Sequence, residues 1–254
     1  MTPSTYILDR DILFILDSFS RNINTNFMFL PGNVLKIVDI STILGATAKI
    51  KTPIPVQANI FDLTEITNAA KFINADRSVL EFHEDRLYIY SEDKSKVFQI
   101  FYAGDGATTK PHSKDEMIAD PSSGYDFEFL LTKAQMNEIK SSAKIVKNNV
   151  VSFVYEPSNP IKSKVISTVD PTSSEFHSTM TDSFISAKSN IKDITVNIDI
   201  NLLKLIDNDY KVSINIADPD VNENTFARFL PQDTSRFDVT YWMSLEDSSH
   251  KTKS

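Results

Sequence analysis

The chain has 254 residues, 41% of them hydrophobic, which is enough to bury one large core or two ordinary ones and too much for disorder over most of its length. It contains no cysteine, which excludes disulfide frameworks and thiolate metal sites. With 26 basic against 34 acidic residues the formal charge is −8, so a globally basic nucleic-acid-binding surface is excluded, and the placement of the cations matters more than their sum. No apolar run approaches the length of a membrane span, and Met1-Thr2-Pro3-Ser4 lacks a basic segment followed by an apolar one, so a cytoplasmic protein is expected.

Along the chain one pattern occurs four times: an apolar couplet, a polar capping residue, a short helix, then extended segments. The first copy is Ile7-Leu8-Asp9, leading into Ile12, Ile15, Leu16, Phe19 and Ile23. A hairpin is expected over residues 26–39, turning at Pro31-Gly32. The second copy is Ile60-Phe61-Asp62, leading into Ile66, Ala69, Ala70 and Ile73, and a hairpin over 78–91 turns at Glu84-Asp85. A strand over 96–103 follows, and then a Gly- and Pro-containing polar stretch reads as a linker. The third copy is Leu130-Leu131-Thr132, leading into Met136, Ile139, Ala143 and Val146. The fourth is Ile198-Asp199-Ile200-Asn201, leading into a short turn from Leu202 to Ile206. Asp9, Thr132 and Asn201 are the expected N-caps. Further strands are expected over 149–156, 164–170, 210–217, 225–230 and 237–245, with an irregular or edge region over 171–190 and a mobile polar tail over 247–254.

Nothing in the sequence supports catalysis. Gly104-Asp105-Gly106-Ala107-Thr108-Thr109-Lys110 lacks the glycine-to-lysine spacing of a phosphate loop and is followed by no helix pattern. His83, His112, His177 and His250 stand in turns, linkers or the tail without metal-ligand spacing. Asp218-Pro219-Asp220 reads as a solvated loop, and no nucleophile elbow appears. A protein that is not an enzyme, with no cofactor and no metal, is expected.

The third helix is more informative. Lys133, Lys140, Lys144 and Lys147 fall within about a 60° arc beside the apolar stripe, and Glu138 is the one acidic residue there. Lys71 in the second helix, Lys204 in the last, and Arg10 and Arg21 in the first add to a set of cations carried by helices, while the acidic excess lies in loops and turns. An acidic protein with one basic helical surface is what a ring around DNA requires.

Several short pieces, in order, carry a resemblance to a known family: Leu8-Asp9-Arg10-Asp11, Phe19 with Ile23-Asn24, Gly32-Asn33, the stretch 56–76 with Phe61-Asp62-Leu63, and Ser244-Leu245-Glu246-Asp247-Ser248-Ser249-His250. The chain resembles the trimeric DNA sliding clamps of large tailed bacteriophages, which are related in fold to the eukaryotic replication clamp. It departs from them in a longer connector, an extension over 171–190 and a very short last helix. The resemblance implies an α+β DNA-clamp fold of two similar domains, each with two helices packed on antiparallel sheets. The domains are expected at 1–106 and 126–246, joined by a connector over 107–125 and followed by the tail at 247–254.

The resemblance further implies a polymerase processivity factor in the host-cell cytoplasm. It would be a homotrimer that encircles duplex DNA without reading sequence, is opened by a clamp loader and tethers the replicative DNA polymerase, with no membrane partner. Arg10, Arg21, Lys71, Lys133, Lys140, Lys144, Lys147 and Lys204 would face the DNA. Residues 97–102 would pair with the neighbouring subunit's 176–184 region, and Ile43, Leu44, Met243 and Leu245 would wall a groove for partner peptides. The competing reading is a non-enzymatic β-rich viral structural or assembly protein without a DNA channel, which predicts no preference of lysines for helices.

Overall fold

The computed structural model describes residues 3–41, 43–74, 76–104, 106–108, 124–157, 159–166, 175–180, 182–217 and 225–253. The chain divides into two compact units, Met1–Ser113 with Thr234–Val239, and Lys114–Asp233 with Thr240–Ser254.

In the first unit β1 (Ser4–Asp9) runs into α1 (Arg10–Asn22), followed by β2 (Phe27–Phe29), β3 (Gly32–Val38), β4 (Leu44–Ile54) and β5 (Ala58–Ile60). Then come α2 (Leu63–Asn74), β6 (Arg77–Phe82), β7 (Arg86–Tyr90) and β8 (Val97–Phe101). β1, β6, β7 and β8 form an antiparallel sheet in that order, and β3 pairs with β4. Strand alternation decides what is buried. Tyr6 and Leu8 point into the core while Ile7, the other half of the first couplet, points out. The couplets are thus the ends of strands entering helices. Ile12, Leu13, Ile15, Leu16 and Phe19 of α1 and Leu63, Ile66, Ala69, Ala70 and Ile73 of α2 form buried stripes at three-and-four spacing. The expected N-cap Asp9 accepts from the Ile12 amide at 2.9 Å, and Asp62 accepts from the Thr64 amide at 2.8 Å.

The hairpin over 78–91 is present as β6 and β7, with Phe82 opposite Leu87. The hairpin over 26–39 is not. All of Phe27–Phe29 is buried, and this strand pairs with β5, while β3 takes the eleven-residue β4 as partner. Gly32, at φ 122°, redirects the chain between two strands that belong to different pairs.

The second unit repeats the plan with β9 (Phe127–Leu131), α3 (Lys133–Val146), β10 (Val150–Glu156), β11 (Asn159–Ile166), β12 (Glu175–Met180) and β13 (Phe184–Ala187). There follow β14 (Ile191–Asp199), a 3-10 turn (Ile200–Leu202), β15 (Tyr210–Asn215), β16 (Phe226–Pro231), β17 (Asp238–Ser244) and β18 (His250–Lys253). One sheet has the order β12-β11-β10-β14-β18, and a second run of neighbours is β13-β9-β15-β16-β17. The core holds Phe127, Phe129, Phe153, Val196, Ile198, Tyr210, Val212 and Phe229.

Two expectations change here. The fourth helix is a three-residue 3-10 turn capped by Asp199, whose carboxylate accepts from the Asn201 amide at 2.8 Å, so Asn201 is not the cap. The tail is not mobile over 250–253: β18 pairs with β14, and Lys251 reaches a buried carboxylate. The region 171–190 is edge structure as expected: its strands β12 and β13 each stand at the end of a sheet, although 171–174 and 181 lie outside the described residues. So do most of the connector, Lys110, His112 and Asp218-Pro219-Asp220.

Candidate nucleic-acid interface

α3 begins with a reciprocal cap. The Gln135 amide donates to Thr132 Oγ1 at 3.2 Å, and the Thr132 amide donates to Gln135 Oε1 at 2.8 Å. The helix ends at Lys147, which is left-handed at φ 55° and donates its amide to the Ala143 carbonyl. Between these ends Met136, Ile139, Ala143 and Val146 are buried, which turns Asn137, Ser141 and Ile145 outermost, with Ile145 81% exposed. The lysines therefore line one flank of the helix rather than its crest.

Their states differ. Lys144 and Lys147 are exposed and pair with no carboxylate among the described residues. Lys133 Nζ stands 2.8 Å from Asp207 Oδ2. Lys140 is half-buried; burial lowers its pKa, and nearby Asp207 opposes that only in part. Glu138 is the sole carboxylate on α3 and accepts from Ser178 Oγ at 3.4 Å. Lys144 and Lys147 also sit at the negative end of the helix dipole, which favours them there whatever else they meet.

The helices of the first unit are electrically different. α1 and α2 carry Arg10, Arg21 and Lys71 against Asp11, Asp17 and Glu65, so their charges cancel. Arg21 Nη2 lies 2.8 Å from Asp17 Oδ2, and Lys71 Nζ donates to Asp17 Oδ1. Arg10 is highly exposed and 3.9 Å from an equally exposed Asp76, a weak pair. Arg236 completes the face: its Nε donates to Asp11 at 3.0 Å, and its guanidinium lies over Phe237, which stacks on the exposed Phe14. Lys204 is exposed but lies in coil beyond the 3-10 turn, so it is not on a helix. Leu44, Met243 and Leu245 are buried, with only 4%, 1% and 8% exposure; Ile43, at 41%, reaches the surface.

Sequence reasoning missed two polar clusters. On the β6–β7 sheet His83 Nε2 is 2.7 Å from Glu81, which also accepts from Tyr90 Oη at 3.0 Å; the signal was the i, i+2 spacing that puts Glu81 and His83 on one face. The His83 bond is the main reason the Glu81 carboxyl is held below its ordinary range. In the second unit Asp126 is 1% exposed and accepts from Lys188 at 2.9 Å, Lys251 at 2.8 Å and the Ile216 amide at 3.0 Å. Its three partners lie tens of residues away in sequence, so no spacing announces them. Neither cluster places a nucleophile beside a base, and no group of metal-ligating side chains occurs among the described residues. Among the described residues no helix is long and apolar enough to cross a membrane.

No protein-family model matches the chain, and no curated protein matches it. Solved structures do. The proliferating cellular nuclear antigen of Entamoeba histolytica matches with a TM-score of 0.64 at 14% identity, over 96% of this chain and 98% of that one. The PCNA of Thermococcus kodakaraensis matches with 0.62 at 15%, over 96% and 100%. The DnaN sliding clamp, DNA polymerase III subunit beta, of Pseudomonas aeruginosa matches with 0.67 at 13%, over 96% of this chain and 65% of that longer one. In element order, in antiparallel sheets and in this likeness over nearly its whole length, the chain has the DNA sliding-clamp fold.

Proposed function

We propose that this protein is a DNA polymerase processivity factor, a bacteriophage sliding clamp that closes as a homotrimer around duplex DNA and performs no chemistry itself. The observation that carries the reading is the likeness to PCNA over 96% of this chain and 98–100% of those chains. The resemblance implies a closed ring of six such domains, and two units per chain then require three copies. Strand edges for closure are available. β8 is an edge strand whose Val97, Phe98 and Phe101 are exposed, and β12 is an edge of the second unit's sheet. In this reading the α3 flank of Lys133, Lys140, Lys144 and Lys147 faces the phosphates, with Arg10, Arg21, Lys71 and Lys204 adding to it. Contacts from such flexible ammonium groups hold the backbone without reading bases and so permit sliding.

A clamp loader would open the ring, and the tethered partner would be the replicative polymerase. Of the proposed peptide-groove residues Ile43 alone offers surface, so docking at Leu44, Met243 and Leu245 would need their side chains to be uncovered. Mass measurement in solution should give a multiple of three chains. Replacing Lys140, Lys144 and Lys147 by Glu should abolish retention on nicked circular duplex while leaving the assembly intact. A stable monomer at micromolar concentration that stimulates no polymerase overturns the reading.

A further inference from the structure

Two of the three cations on the first unit's helices, Arg21 and Lys71, are held by a single carboxylate. Asp17 sits in the middle of α1 with its side chain 17% exposed. One oxygen holds Arg21 one turn on; the other holds Lys71 across from α2. Both carboxylate oxygens are thereby occupied, and the two helices present a nearly neutral face. By contrast Lys144 and Lys147 of the second unit have no such partner among the described residues.

Resting on the reading that these helix faces meet duplex DNA, we propose that Asp17 is a positioning residue that holds Arg21 and Lys71 back from the phosphates and thereby limits the grip of the first unit on DNA. A ring retained by closure does not need tight contacts, and each additional phosphate contact must be broken for every step along the helix. A carboxylate that competes with phosphate for two cations weakens the hold without removing the charges that draw DNA in. The grip would then be graded within one chain, with the α3 flank engaging phosphate and the α1–α2 face restrained.

The test is the salt dependence of binding to a labelled duplex, measured by fluorescence anisotropy on the full assembly. Asp17→Asn should bind several-fold tighter at low salt. Its plot of log affinity against log salt should steepen by up to about 2 per engaged chain, since each cation delivered to a phosphate contributes about 0.9 to that slope. Asp17→Glu, which keeps the charge, should restore wild-type behaviour. A merely structural role for Asp17 in pinning α1 to α2 would move the melting temperature but not the slope. Lys71→Gln gives an independent readout should Asp17→Asn fail to fold: it should cost less affinity than Lys144→Gln, because the Lys71 charge is already committed. An unchanged slope in folded Asp17→Asn, or equal losses in the two lysine variants, overturns the inference while wild-type binding leaves the clamp reading standing. No binding of wild-type protein to duplex at any salt overturns the inference, and no loader-dependent retention on nicked circular duplex overturns the clamp reading with it.

Discussion

Asp126 shows how much one side chain ties together. It is 1% exposed, and it joins Lys188 beyond β13, Lys251 of β18 and the amide of Ile216 beyond β15. Burial pushes its carboxyl pKa up, but the bond from Lys251, the Ile216 amide and the bond from Lys188 outweigh it, and the net displacement from 3.8 is downward. A depressed folded value means the stabilisation is complete above the unfolded carboxylate range and is lost as pH falls through the lower folded value. Asp126→Ala leaves two lysine ammonium groups without their counter-ion and should cost about 3–5 kcal/mol near neutral pH. Urea denaturation should show the difference from wild type shrinking as pH falls below about 4, where the unfolded chain's carboxylate takes up a proton that the folded one, with its lower pKa, still refuses. A constant difference down to pH 2 would mean the cost is one of packing rather than charge.

At the scale of elements, α3 carries the exposed cations and is held by ends that can be changed without touching them. The Thr132–Gln135 cap satisfies amides that the first turn leaves over, and Asp209 adds another by accepting from the Lys133 amide at 2.7 Å. Thr132→Ala should lower stability by about 1 kcal/mol, read as a shift of the denaturation midpoint at unchanged slope. If α3 is only a binding face, duplex affinity should not change in this variant, because every lysine remains in place. A larger loss of affinity than of stability would indicate that the helix frays when capped less well.

For the whole molecule the proposed assembly is tested at the edge of the first unit's sheet. Phe101 is 60% exposed on β8 with the Arg86 guanidinium over its ring, and Phe72 and Phe98 form an edge-to-face pair beneath Lys96. An apolar edge of this kind invites another strand. Phe101→Glu should leave the folding of the unit within about 0.5 kcal/mol of wild type, as surface changes do, and yet reduce the particle to single chains by light scattering. An assembly of unchanged mass would remove β8 from the interface.

The local features were legible in the amino-acid order because they depend on neighbours within one turn or one strand. The buried stripes of α1, α2 and α3, the caps at Asp9 and Thr132, and the hairpin at Glu84-Asp85 are all of this kind. So was the concentration of lysines on the third helix, which required only the helical period. Whatever depended on partners distant in sequence was not legible. Phe27–Phe29 chose β5 over the adjacent β3, the polar tail became a strand because Lys251 meets Asp126, and Arg21 and Lys71 spent their charge on Asp17. The sequence by itself determined the α+β class, the paired strand-and-helix units and the lysines of α3. Only the tertiary structure decided which of the helix cations are free, because ion pairing between elements is set by distances that no spacing along the chain encodes.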